Sequence, residues 1–148
     1  VEMNEILLRH WEDQRAKARH SEDQRSSLTN MILVISSVGL GFVAQRGLQN
    51  SMLAVTLPLI VIGLYGAIGT AKLAERASYH NAHARALSRR LDGLVPDLRL
   101  RETYSDARSR HSARHGLVEK VRLRYVWVTL HLGIALTGLF LSLAILLG

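Results

Sequence analysis

The chain has 148 residues, of which 48% are hydrophobic, with a net charge of +7 and no cysteine. The missing cysteines exclude a disulfide framework, a thiol nucleophile and thiolate-held zinc or iron–sulfur sites. Three apolar stretches take up much of the length, and what remains is too short and too polar to bury the core of an independent enzyme domain.

The first segment, residues 1–27, reads as a charged cytoplasmic helix. It contains a ten-residue repeat, His10-Trp11-Glu12-Asp13-Gln14-Arg15 followed by His20-Ser21-Glu22-Asp23-Gln24-Arg25. Ten residues at ~100° each set the two copies on neighbouring faces of a helix. Glu5/Arg9 and Asp13/Lys17 stand four apart, and Glu12/Arg15 and Glu22/Arg25 three apart, so each pair stabilises the helix by ~0.2–0.5 kcal/mol. The helix is either a solvated, ion-paired lead into the first span, or Ile6, Leu7 and Trp11 form an apolar patch that docks on the cytoplasmic region. A polar run from Glu2 to Arg25 ahead of the first apolar stretch is unlike a cleavable signal, so that stretch is expected to be a retained span.

The apolar stretches are Leu28–Ala44, Met52–Ala71 and Tyr125–Gly148, and between Ser26 and Ala71 the only charged side chain is Arg46. Each approaches or exceeds the ~20 residues a helix needs to cross a hydrocarbon core of ~30 Å. Gly47–Ser51 is a tight polar connection, so residues 28–71 are expected to form a two-span hairpin. Pro58 interrupts the hydrogen-bond ladder of the second span.

The second span is expected to continue as helix to Leu91, where Gly93 and Pro96 break it. Its polar half carries Leu73, Ala77, His80, Ala84, Leu87 and Leu91 at 4-3-4-3-4 spacing, the a/d pattern of a coiled coil. That seam serves either to join copies of the chain or to pack on a helix of the same subunit. After Pro96 a further helix is expected from Thr103 or Ser105 as cap to Gly116, then another from Leu117 into the third span. Tyr125 and Trp127 suit the membrane interface.

Residues 72–124 hold thirteen Lys/Arg against six acids, and the tail before Ser26 holds five against six. The Lys/Arg bias of flanking segments sets orientation. Hence the N-terminus and the middle region are expected in the cytoplasm, the C-terminus outside, and the protein in a bacterial inner membrane. Arginine outnumbers lysine eleven to two in the middle region. Its planar fork suits bidentate phosphate recognition. Arg85, Arg89 and Arg90 before the break, and Arg108, Arg110 and Arg114 after it, are therefore the candidate ligand-binding residues for a nucleotide, an oligonucleotide or a phosphorylated headgroup. The competing explanation is the ordinary positive-inside excess.

Within the spans there is no Asp, Glu, Lys or Arg, and His131 is the one titratable imidazole. A carboxylate relay is thereby disfavoured. Gly63/Ala67, Gly66/Thr70, Ser37/Gly41, Gly133/Thr137 and Gly138/Ser142 have the small-xxx-small spacing that lets helices approach closely. Asn30, Ser37 and Gly41 form a polar-to-small stripe on the first span and are the candidate pore-lining residues. His80/His83 and His111/His115 share helix faces, but the Glu of a zinc-protease motif is missing and arginines surround them. No metal site, cofactor or catalytic residue is expected.

The layout of Ile6–Arg25, Leu28–Ala71 and Lys72–Leu91 resembles the SLATT family of bacterial membrane effectors: a charged N-terminal helix, a two-span hairpin and a long helix continuous with the second span. The third span, residues 125–148, departs from the minimal two-span version. The resemblance implies a pore-forming effector in antiviral defence, paired with a nucleotidyltransferase whose product controls it. The expectation is thus an all-α integral membrane protein with three spans and a cytoplasmic helical region, in contact with lipid and homo-oligomeric. Its expected role is a channel gated by an anionic ligand. The alternative is a non-conducting scaffold that anchors a soluble partner or nucleic acid, and an enzyme is not expected.

Overall fold

The computed structural model describes residues 2–119 and 122–148, with side chains omitted for 115–119. Four α-helices account for nearly all of it: α1 (Met3–Arg46), α2 (Leu53–Leu94), α3 (Leu100–Glu119) and α4 (Leu123–Leu147). Three of these, α1, α2 and α4, are long and apolar enough to cross a membrane. The protein is an all-α membrane protein.

Local chemistry explains the breaks. Gly47 takes a left-handed φ of 73°, which ends α1 and turns the chain through Gln49 into a short turn at Asn50–Met52. Pro58 lies inside α2 without ending it. Past Leu94 the chain turns through Pro96–Leu98 and Arg99. The next helix begins at Leu100, three residues ahead of Thr103. Neither Thr103 nor Ser105 caps it: their hydroxyls donate back to the carbonyls of Arg99 and Glu102. The cap is Asp92, reaching from the last turns of α2 to the amides of Leu100 (2.7 Å) and Arg101 (3.4 Å). The expected stop at Gly116 is also absent, since α3 runs to Glu119. Val121, expected in the helix that leads to the third span, lies outside the described residues.

The chain divides into two compact units. One comprises Val1–Glu22 with Ala74–Arg122, the other Asp23–Leu73 with Leu123–Gly148. The second unit buries polar side chains alongside apolar ones and turns many large apolar residues outward. Its largest fully buried side chains are His131, Thr29, Thr56 and Thr70, while Val61, Ile68, Leu136 and Phe140 are more than 60% exposed. Lipid tails are as apolar as leucine, so burying leucine between helices gains little there. Close packing and polar contacts hold the helices instead. Each helix presents a 3-4 repeat of such residues: Thr29, Ile32, Ser36 and Val43 on α1; Thr56, Leu59, Gly63 and Thr70 on α2; His131, Ala135, Gly138, Ser142 and Ile145 on α4.

Two hydrogen bonds tie these stripes together. Thr29 Oγ1 lies 3.1 Å from His131 Nε2, joining α1 to α4. Ser142 Oγ lies 2.8 Å from both Thr56 Oγ1 and the Gly138 carbonyl. With one hydroxyl hydrogen each, both contacts are satisfied when Thr56 donates to Ser142 and Ser142 donates to the carbonyl. His131 is fully buried between the helices, where it serves packing within the chain. Glycines admit the close approach. A Cβ on Gly63 would stand 2.5 Å from the Ala135 backbone nitrogen, and one on Gly138 would stand 2.8 Å from the Thr56 carbonyl oxygen. Gly66 gives its space to the His131 ring. Gly41 and Gly133, by contrast, face open space. The small-residue spacing is thus used for contact on α2 and at Gly138/Ser142, but not at Ser37/Gly41 or Gly133/Thr137. Next to the α1–α2 turn, Val43, Met52 and Ile145 close the interior with an apolar cluster.

In the first unit the heptad seam of α2 meets α1 of the same chain. Ala77, Ala84 and Leu91 are buried, and His80 Nδ1 donates to Gln14 Oε1 at 2.8 Å. Arg15 donates to Asn81 Oδ1 at 2.8 Å one residue along. The facing stripe on α1 is Leu7, Trp11, Gln14, Ala18 and Ser21, again at 4-3-4-3. The seam expected to join copies of the chain, running from Leu73 through His80 and Leu87 to Leu91, is occupied within the subunit. The reason is the antiparallel return of α2 beside α1, which supplies a matching heptad stripe at no cost in association entropy. The Glu5/Arg9 and Asp13/Lys17 pairs form at 2.8 and 2.7 Å.

Replacing Gly63 by alanine forces α2 and α4 apart and is expected to lower stability by ~1–3 kcal/mol. Gly41→Ala, in open space, is expected to stay within about 0.5 kcal/mol of the parent. Reversible unfolding in detergent micelles, followed by helicity or tryptophan fluorescence, separates the two.

Candidate anion-binding cavity

In the first unit α1, α2 and α3 border a half-open cavity of about 650 Å³. Five arginines line it: Arg15 from α1, Arg85 and Arg89 from α2, Arg101 and Arg108 from α3. Trp11 and Tyr104 supply two aromatic rings, and Asn81 and Ser88 supply neutral polar groups. Asp92 is the one acid in the lining, and its two carboxylate oxygens are already directed at the α3 amides.

Helical periodicity selects these residues. Arg85, Ser88, Arg89 and Asp92 recur at three and four on α2, and Arg101, Tyr104 and Arg108 recur at three and four on α3. Arg90 is turned ~100° from Arg89 and does not line the cavity. Arg110 lies on the far side of α3, 4.0 Å from Asp106, and Arg114 follows it one turn later. Of the six arginines singled out in the sequence, three line the cavity (Arg85, Arg89 and Arg108) and three do not.

Arg101, Tyr104 and Asp92 were not singled out by the sequence, Trp11 entered only as part of an apolar docking patch, and Arg15 only as the partner of Glu12. Trp11 and Arg15 belong to the N-terminal repeat, whose charge pattern suits a solvated helix. Only the contact with α2, 66 residues away, brings them here. The Arg101-Tyr104-Arg108 periodicity was the available signal, and it becomes readable once α3 is known to start at Leu100.

The arrangement is suited to an anion that also carries a flat ring. Guanidinium groups on three helices can each offer paired N–H donors to phosphate oxygens. Like charges lining one concavity focus the positive potential within it. Aromatic side chains stack planar bases for ~1–3 kcal/mol each. The histidines that share helix faces serve other contacts: His80 bonds to Gln14, and His83 stacks 4.6 Å from Tyr79. Among the described residues no group of three His, Asp or Glu side chains could hold a metal ion.

The candidate pore-lining residues lie elsewhere, on α1 of the second unit. Asn30 and Ser37 are exposed, each one residue past a buried hydroxyl (Thr29 and Ser36), and Gly41 meets nothing within 4 Å of a built Cβ. One residue is a ~100° step around a helix. This stripe therefore faces away from α2 and α4, and a single chain does not enclose it.

Comparison with protein-family models, with characterised proteins and with solved structures gives no match for this chain.

Asp92→Ala removes the cap of α3. A cap worth ~1–1.4 kcal/mol should raise hydrogen exchange at the Leu100 and Arg101 amides by roughly 5- to 10-fold. Mass-spectrometric exchange on the full chain measures this, with the α2 amides before Asp92 as the internal reference.

Proposed function

We propose that this chain is the subunit of a homo-oligomeric membrane channel or pore-forming effector whose gating ligand is an anionic nucleotide or oligonucleotide. The observation that carries the reading is the cavity itself: five arginines and two aromatic rings around about 650 Å³, with the only lining acid engaged elsewhere. A positive-inside excess accounts for arginines scattered over a surface. It does not account for their convergence from three helices on one concavity with Trp11 and Tyr104.

Conduction is assigned to the oligomer because the interior of one subunit is filled by the Gly63–Ala135 and Gly138–Thr56 approaches. The unenclosed stripe of Asn30, Ser37 and Gly41 is the polar surface that several copies together would turn toward an opening. The SLATT resemblance supports a role in antiviral defence in a bacterial inner membrane, with the arginine-rich region in the cytoplasm. A nucleotidyltransferase partner would supply the ligand. A non-conducting scaffold would use the same cavity, and the polar stripe is what favours conduction over it.

The test is binding of short single-stranded DNA and RNA and of cyclic nucleotides to the full chain in detergent or nanodiscs, at two salt concentrations. Each charge-assisted contact contributes ~1.5–3 kcal/mol. Arg89→Gln and Arg108→Gln are therefore each expected to weaken binding by at least about tenfold. For an oligonucleotide contacting all five arginines, the log–log salt slope should approach roughly −3.5. Planar-bilayer recording then reads conduction. Absence of binding at low salt rules out the ligand, and silence of the reconstituted, ligand-loaded oligomer rules out the channel.

A further inference from the structure

We propose that α3 is a closing strap over the arginine-lined cavity: a multivalent anion draws it onto α2, and Asp92 clasps its hinge end. This inference rests on the reading that the cavity takes an anionic ligand. It adds how occupancy is converted into movement of a helix.

Burial supports it first. Among the described side chains of α3, Leu100 alone is partly buried, and those from Arg101 to Arg114 are all exposed. A helix that is polar on every side has no apolar stripe to hold it against a neighbour. Its internal ion pair, Asp106 with Arg110, stabilises the helix but docks it on nothing. Among the described residues, two hydrogen bonds tie the start of α3 to α2, from the amides of Leu100 and Arg101 to Asp92.

Charge supplies the second argument. Arg101 and Arg108 on the α3 wall face a cavity that Arg85 and Arg89 line from the α2 wall. Among the described residues none of these four guanidinium groups takes part in an ion pair. Like charges on opposite walls repel and favour an open cavity, the more so at low ionic strength. An anion carrying several charges reverses the sign of that interaction, because each wall is attracted to it. A singly charged ion can satisfy one wall and leaves the other repelled. The chemistry therefore calls for at least two linked anionic groups.

The hinge is the third. Five residues, Val95–Arg99, connect α2 to α3, and Arg99 is held at φ 44°, ψ 38°, the one non-glycine residue with positive φ among those described. The left-handed region disfavours residues with a Cβ, so the Asp92 clasp holds a backbone conformation that the chain would otherwise leave. Rotation about this point carries Arg101 and Arg108 toward or away from α2 while the clasp keeps the helix start in place.

The absence of cysteine makes a direct measurement clean. Ala86→Cys on α2 and Ala107→Cys on α3, both exposed and outside the cavity lining, are spin-labelled in the full chain in nanodiscs. Their separation is then recorded by double electron–electron resonance with and without inorganic tripolyphosphate. Binding of tripolyphosphate is measured in parallel by calorimetry. The expected result is a distance distribution that shifts to shorter values and narrows on tripolyphosphate addition, with no such shift for chloride at equal ionic strength. Adding R101Q and R108Q, which leaves the three arginines of α1 and α2 in place, should abolish the shift. Binding without any change in distance overturns the strap and leaves the anion site standing. A shift that survives R101Q/R108Q unchanged overturns the electrostatic mechanism. Failure of tripolyphosphate to bind removes the strap together with the reading it rests on.

Discussion

Everything in the membrane unit depends on polar groups meeting each other where water is missing. Thr29 with His131 and Thr56 with Ser142 are hydrogen-bonded pairs between helices, buried in a segment whose outward surface is leucine, isoleucine, valine and phenylalanine. In water those pairs would contribute little, because solvent offers equivalent partners. In hydrocarbon the alternative is an unsatisfied hydroxyl or imidazole, so the same contacts choose which helix faces turn inward. Gly63, Gly66 and Gly138 make this workable by letting backbones and the His131 ring approach within reach. The apolar cluster of Val43, Met52 and Ile145 finishes the packing where α1 turns into α2.

The first unit packs by the same periodicity with different residues. There α1 and α2 present heptad stripes of alanine, leucine and half-buried polar residues. Ala77, Ala84 and Leu91 are buried along the α2 stripe. Trp127, at the start of the third span, lies 6.0 Å beneath the guanidinium of Arg25. This fits an amphipathic ring at the lipid boundary better than one in the core.

The arginine cavity illustrates how an excess of charge becomes a site. Eleven arginines between residues 72 and 124 are no more than a composition until geometry sorts them. Those at Arg85/Arg89 and Arg101/Arg108 fall on facing helix sides, whereas Arg90, Arg110 and Arg114 fall on others. Asp92 does two things in this arrangement: it caps α3, and by doing so it takes the only lining carboxylate out of competition for the arginines. The lining thus gathers five guanidinium groups against one carboxylate, whose oxygens are already directed at the α3 amides.

Sequence alone determined the three membrane-length helices, their all-α class, the turn at Gly47 and a break before Pro96, although α2 runs to Leu94, three residues past the expected Leu91. These follow from local properties: runs of apolar residues longer than a bilayer, and glycine or proline at the ends. It also determined that arginine dominates the middle region. Which face of each helix turns inward was decided only by tertiary structure. The inward stripe on α1 runs through Thr29 and Ser36, one step round from Asn30 and Ser37, and the choice depends on His131, 102 residues away. The α2 seam could equally have met a second copy until α1 supplied Gln14 and Ala18 opposite it. Trp11, Arg15 and Asp92 acquired their roles from partners that lie far off along the chain, or across a five-residue turn whose path local propensity does not specify. Periodicity fixes that a helix has two faces; only a neighbour decides which one is the inside.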